Sequence, residues 1–387
     1  MGLLDELDLD LNLNVSNEIA IGDHEIINDN EMEDYGNRIT VNASQLMPVI
    51  SKYSFLARNK QLEDQLIKIF CVDGSMFICA DNIRYFYSTM YENVDMTKKA
   101  FVFYIPYKQL SVIIKAGAKL NDSITFTITD VIVASTGKTS WEIPMIDGNL
   151  DLDLVLKYYE IEEYNDEISR SKLFDILKMY QPFVTLSDET LTFNEGFAFC
   201  RSNHFYLWSS LALNDCYVLS KENIKLISTL GDGNETIVLL TNTQDKLMLR
   251  CGEDVLVTDR IAGNSTILPE IADLKRKQGV AMLKNTLLEK LKEIDIYSKR
   301  NLTLSFEPQG LRLINRDNAG GMAETLIEID KDLCSVVNKE SYNIQFDILE
   351  ECVKCIKEDV MELMTLNRTE YIQFRTPTIN CLLMVNY

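Results

Sequence analysis

Apolar residues recur every three to four positions in residues 44–57 (ASQLMPVISKYSFL), 169–181 (SRSKLFDILKMYQ) and 280–296 (VAMLKNTLLEKLKEIDI). That spacing predicts three helices, each with one buried face. Two β-rich runs joined at a turn follow each helix. The first pair is LIKIFCVDGSMFICADN, residues 66–82, with Asp73-Gly74 as a hairpin signal. The second is LTFNEGFAFCRSN, ending at Asn203, and the third is LTLSFEPQGLRLINRDN, ending at Asn318. The three pairs close on related tripeptides, ADN, RSN and RDN.

The pattern then repeats a second time within each copy. A short apolar run (AFVFYI, NDCYV or SYNI) precedes another amphipathic stretch, at residues 106–120, 219–231 and 345–358. Two further strand-like runs come next: SITFTI and VIVAST, TIVLLT and KLMLRC, MELMTL and YIQFRT. Terminal strands are expected at Ser140–Pro144, Asp254–Ile261 and Ile379–Tyr387. A period of about 115 residues with a fixed order of elements predicts an α+β protein of three tandem domains. The expected divisions are a domain at 38–150, an acidic linker at 151–166, and domains at 167–270 and 271–387, behind a disordered acidic tail at 1–37.

Charge changes this picture. The chain has 387 residues and a net charge of −21, yet residues 105–120 (IPYKQLSVIIKAGAKL) contain no acid. At 100° per residue, Lys108, Lys115 and Lys119 fall within about 20° of one line, opposite Leu110, Ile113, Ile114, Gly117 and Leu120. Lys172 and Lys178 share a polar face with Asp175, opposite Leu173, Ile176, Leu177 and Tyr180; Lys221 and Lys225 stand one turn apart, opposite Ile224, Ile227 and Leu230. Most of the negative charge lies elsewhere. Residues 1–37 hold eleven Asp or Glu and no Lys or Arg, and residues 147–167 hold eight acids and one lysine. Positive helices in an otherwise acidic chain fit a polyanion held on one surface through its phosphates and repelled from the rest.

Several classes are disfavoured. No apolar run approaches the roughly 20 residues that span a bilayer, and the acidic MGLLDELDLD start lacks the basic flank of an export signal, so a cytoplasmic setting is expected. Nine scattered cysteines read as reduced thiols in apolar segments. Only two histidines, His24 and His204, are present, so a hydrolase triad has little to build from. There is no GxxxxGK[ST] loop and no GxSxG elbow. Cys352 and Cys355 have no second pair to complete a zinc site. No catalytic residue, metal or cofactor is assigned, and an enzyme is the least favoured class.

The threefold plan of two helices and about eight strands resembles the bacterial DNA polymerase III beta subunit, the sliding clamp, over residues 38–387. IPYKQL in copy one, Ile267-Leu268-Pro269 ahead of copy three and the closing strand CLLMVNY add local similarity. The resemblance implies a head-to-tail homodimer forming a six-domain ring, with strands outside and helices lining a hole for double-stranded DNA. Lys108, Lys115 and Lys119, together with Lys52, Lys172, Lys178, Lys221 and Lys225, would face phosphates. Arg58 and Lys60 match a loop that touches DNA in that family. It further implies a hydrophobic pocket for peptides of a DNA polymerase and other partners, walled by Tyr206, Ile267, Leu268, Leu382, Leu383 and Met384, and loading by a clamp loader.

Departures from the family pattern concentrate at that pocket. The terminal Met-Pro-Met-Arg-Leu-like motif is Leu383-Met384-Val385-Asn386-Tyr387 here, and a TDGHR-like loop is Arg201-Ser202-Asn203-His204-Phe205. With the acidic tail, they point to a phage-encoded clamp. The tail alternates leucine and acid from Leu3 to Leu11, which suits either a clamp's peptide pocket or mimicry of nucleic acid. Two other readings are a clamp-fold transcription activator tethering RNA polymerase, and a non-enzymatic assembly protein with triplicated domains.

Overall fold

The computed structural model describes residues 36–54, 66–81, 84–92, 94–120, 123–137, 139–148, 150–187, 189–194, 196–211, 213–231, 236–261, 274–296, 302–317 and 319–385. The acidic tail, Arg58, Lys60, Ile267 and Leu268 lie outside them. The helices are α1 (Ala43–Lys52), α2 (Tyr107–Leu120), α3 (Leu152–Glu160), α4 (Arg170–Ser187), α5 (Lys221–Ile227), α6 (Lys284–Ile294) and α7 (Phe346–Cys355). Six answer the predicted stretches; α3 does not. The strands pair antiparallel throughout, giving an α+β fold.

The chain separates into two compact units, residues 1–80 with 90–152, and residues 81–89 with 153–387. In the first, Asp95–Met96, Asn37–Asn42, Ser123–Ile128, Val131–Ser135 and Ser140–Pro144 form one sheet in that order. Leu66–Val72 pairs with Ser75–Asp81 on one side and with Ala100–Pro106 on the other. The Asp73-Gly74 turn has positive φ at both residues, 46° and 83°, as a tight two-residue hairpin requires. α1 begins where the Asn42 side chain accepts a hydrogen bond from the Gln45 N–H at 3.1 Å. α1 and α2 pack together, and Gly117 makes this possible: a Cβ there would stand 2.6 Å from Ile124 and 2.9 Å from Ala43.

In the second unit, Tyr217–Leu219, Leu191–Asn194, Phe197–Arg201, Phe205–Ser210, Asn380–Met384, Tyr371–Arg375, Val360–Leu366 and Arg276–Leu283 make one eight-stranded sheet. Its first four strands come from the second copy and its last four from the third. α4 packs against α5 and α7, and α6 against α7. Another sheet runs Asp166–Ser169, Ile237–Asn242, Lys246–Cys251 and Asp254–Asp259, and there Tyr85–Thr89 pairs with Asp254–Thr258. Asp254 is fully buried and accepts from Thr89 Oγ1 (2.7 Å), Tyr87 Oη (3.2 Å) and the Gly231 N–H (2.6 Å). These hydrogen bonds replace the water a buried carboxylate loses.

Three sequence expectations change. The stretch read as an acidic linker, 151–166, carries α3; Val155 is buried, and Tyr158, Tyr159, Ile161 and Tyr164 pack on Met248, Val255 and Val257. Its acids mask this apolar face in any charge count. Val280–Leu283, read as the start of a helix, belong to the strand Arg276–Leu283, which pairs with Val360–Leu366; sheet pairing decides what a short apolar run cannot. Leu120, placed on the buried face of its helix, is 51% exposed at the helix end. Strands also lie ahead of each first helix (Asn37–Asn42, Asp166–Ser169, Arg276–Leu283) and after each hairpin (Tyr85–Tyr91, Phe205–Ser210, Met322–Glu328), beyond those the hydrophobic pattern predicts.

The fourth sheet, Met322–Glu328, Gly310–Arg316, Leu302–Glu307 and Glu340–Ile344, holds a second buried carboxylate. Glu307 meets Arg312 through Nε (3.1 Å) and Nη2 (3.2 Å), Lys339 Nζ (2.7 Å) and Gln309 Nε2 (2.9 Å). Arg312 above all, and then Lys339, hold its carboxyl below the usual glutamate range. A lowered folded-state pKa stabilises the fold above the unfolded value of about 4.3, and that contribution is lost as pH falls through the folded value. Glu307→Gln is expected to cost about 1–2 kcal/mol near neutrality, since both cations remain partly solvated. Urea unfolding at a series of pH values should show the gap to wild type closing in acid; a pH-independent gap would assign the loss to packing.

Candidate nucleic-acid interface

α2 follows directly on the strand Ala100–Pro106. Its buried side is Tyr107, Leu110, Ser111, Ile113, Ile114 and Gly117. Lys108, Lys115 and Lys119 are exposed on the other side. The first turn holds Lys108 and no acid, although the helix dipole favours anions there by about 0.3–1 kcal/mol. Lys52, at the end of α1, is half-buried.

In the second unit, Leu173, Ile176, Leu177 and Tyr180 of α4 are buried, as predicted, and Lys172 and Lys178 are exposed. Asp175, the one acid on that helix, is neutralised by Lys357 at 2.5 Å. On α5, Ile224 and Ile227 are buried, Lys225 is exposed and Lys221 half-exposed. No described carboxylate forms an ion pair with the Lys108, Lys115, Lys119, Lys172, Lys178, Lys221 or Lys225 ammonium.

The helices of the third copy differ. Lys284 donates to the Ile356 carbonyl at 2.9 Å, Lys290 pairs with Glu293 at 2.7 Å, and Lys354 pairs with Glu350 and Glu351. Lys292 alone among the lysines of α6 and α7 is exposed without a described carboxylate partner. Sequence reasoning did not single it out; the net positive charge of residues 277–300 was its only signal.

The predicted peptide pocket is divided by the pleat of the eight-stranded sheet. Tyr206 and Leu382 are cross-strand partners and join Phe199 and Leu366 in one buried cluster, with Phe197, Trp208, Leu274 and Tyr371 half-buried around it. Leu383 lies one residue on and points to the opposite face, where it is 1% exposed. It lies on the other face of the sheet from the wall assigned to it. Met384 is back on the Leu382 side and 38% exposed. The same alternation sends Cys381 inward to Cys352, Sγ to Sγ 3.7 Å. Burial pushes the Cys352 thiol well up and Cys355 to about 12, so CVKC is a packing element of protonated thiols. Among the described residues no group of three His, Cys, Asp or Glu could hold a metal, and no helix is long and apolar enough to cross a membrane.

No protein-family model matches the chain, and no curated protein matches its sequence. Solved structures do. The DNA polymerase III beta subunit of Borrelia burgdorferi, in complex with a natural product, superposes with a TM-score of 0.74 at 14% identity, over 90% of this chain and 99% of that one. Its Pseudomonas aeruginosa counterpart gives 0.75 at 12% identity over 90% and 99%. That of Thermotoga maritima gives 0.72 at 14% identity over 91% and 99%. The chain has the fold of the bacterial sliding clamps. At these identities the likeness lies in element order and packing, the same features the hydrophobic pattern carried.

The two sides of the Asn380–Met384 strand make separable predictions. Leu382→Ala and Leu383→Ala should each cost about 2–4 kcal/mol in urea unfolding, as buried leucines do. In a Trp141→Phe background, only Leu382→Ala should alter the emission of Trp208, whose ring stands 5.5 Å from Tyr206. An equal response to both would contradict the assignment of faces.

Proposed function

We propose that this protein is a DNA sliding clamp: a non-enzymatic processivity factor that encircles duplex DNA and tethers a polymerase. The observation that carries the reading is the set of exposed lysines on α2, α4 and α5 without described carboxylate partners, in a chain of clamp fold whose net charge is −21. Such a surface attracts a duplex through its phosphates and reads no sequence. Two chains join head to tail into a ring with DNA against Lys52, Lys108, Lys115, Lys119, Lys172, Lys178, Lys221 and Lys225, and Arg58 and Lys60 add a loop contact. The three domains are 38–150, 167–270 and 271–387. The ring acts in the cytoplasm and is placed on DNA by a loader.

Partner peptides dock on the apolar cluster containing Tyr206 and Leu382, with Met384 at its margin and Ile267 and Leu268 from the neighbouring segment. The aromatic surround of Phe197, Trp208 and Tyr371 supports this, since half-buried aromatics on a sheet face suit a peptide's apolar anchors.

Retention on nicked circular DNA, in the presence of a clamp loader and ATP, should be lost when the circle is cut. Equal retention on both forms would refute encirclement. Simultaneous Lys108→Glu, Lys115→Glu and Lys119→Glu should leave the melting temperature within a few degrees of wild type, because all three are exposed. The same change should reduce the slope of log affinity against log salt by about 3. An unchanged slope would remove α2 from the interface, and a particle with the mass of one chain would refute the ring.

A further inference from the structure

The lysine face of α2 and the N-terminal segment are opposite in charge and close in the chain. α2 contains no acid, and Lys108, Lys115 and Lys119 are exposed without a described carboxylate partner. Residues 1–35 contain eleven acids and no Lys or Arg. We infer that residues 3–13 (LLDELDLDLNL) dock on the exposed face of α2 and compete there with nucleic acid.

Tethering permits it. The segment joins the fold at Gly36, ahead of Asn37–Asn42, which pairs residue for residue with Ser123–Ile128. Asn42 lies opposite Ser123, three residues beyond the end of α2. The strand is about 20 Å long and the helix about 21 Å. The 22 residues between Leu13 and Gly36 span up to about 73 Å, so every point on the face is within reach.

The chemistry of the face matches the segment in two respects. Lys115 and Lys119 are separated by about 6 Å along the helix, close to the roughly 7 Å between alternate residues of an extended chain such as Asp8 and Asp10. Val112, beside the lysine line, is 62% exposed, and Leu120, at the helix end, is 51% exposed. Those apolar positions have no use in phosphate binding, and the leucines at the ends of the acidic run, Leu3, Leu4 and Leu13, provide partners for them, while Leu7 and Leu9 project from the other side of the extended chain. A tethered competitor of weak intrinsic affinity acts at an effective concentration in the millimolar range. It leaves the face open only to a ligand that binds it better, as a duplex does.

The competition half of this inference rests on the nucleic-acid reading, whereas the docking half does not. Carbodiimide cross-linking of the full chain, read by mass spectrometry, should join tail carboxylates to Lys108, Lys115 and Lys119. High salt should suppress the products, and so should Asp5→Asn, Glu6→Gln, Asp8→Asn and Asp10→Asn made together. The same variant should bind a short DNA duplex about fivefold tighter than wild type. Absence of cross-links to the three lysines would overturn docking, even if neutralisation raised DNA affinity, because a general repulsive field would then account for the gain. Cross-links with no measurable DNA binding in either protein would sustain docking and sink the nucleic-acid reading instead. Cross-links with unchanged DNA affinity would overturn competition.

Discussion

Antiparallel pairing of Phe205–Ser210 with Asn380–Met384 is the constraint on which both surfaces of the second unit depend. It joins four strands of one copy to four of the next, so their side chains share two common faces. On the inward face Cys381 and Leu383 meet the buried sides of the helices, and α4 lies against α7. On the outward face Tyr206 and Leu382 gather Phe199 and Leu366 into a cluster bordered by aromatics. A one-residue slip would exchange the two sets and destroy both at once.

Helix packing then decides where charge is exposed. Each of α2, α4 and α5 buries one apolar side, and its lysines must project from the other. Asp175 would break the basic surface of α4, but Lys357, from the segment following α7, pairs with it. In the third copy the lysines are mostly spent internally, on the Ile356 carbonyl, Glu293, Glu350 and Glu351. The basic character is therefore graded: strong on α2, α4 and α5, weak on α6 and α7. A uniform count of lysines would have missed this.

Buried carboxylates provide the opposite case, in which charge serves the fold. Asp254 binds three donors from two separate segments, and Glu307 collects a guanidinium, an ammonium and an amide around one hairpin end. Neither touches the lysine faces. They tie their strands together through hydrogen bonds that are costly to leave unmade.

Periodicity by itself determined the six helices, the three hairpins and their order, because a 3.6-residue repeat and a two-residue repeat are local properties of the chain. It also put Lys108, Lys115, Lys119, Lys172 and Lys178 on exposed faces correctly, since the opposite face of an amphipathic helix must be buried. Tertiary structure decided the rest. That Val280–Leu283 are strand rather than helix follows from pairing with Val360–Leu366, a partner some 80 residues away. That Leu383 packs on the helix side of the sheet while Leu382, equally buried, joins the Tyr206 cluster on the other depends on which side of the sheet the helices cover. That 151–166 folds as a docked helix depends on Met248, Val255 and Val257 offering an apolar surface to it. In each case the deciding energy is a contact between residues distant in sequence, which no local pattern encodes.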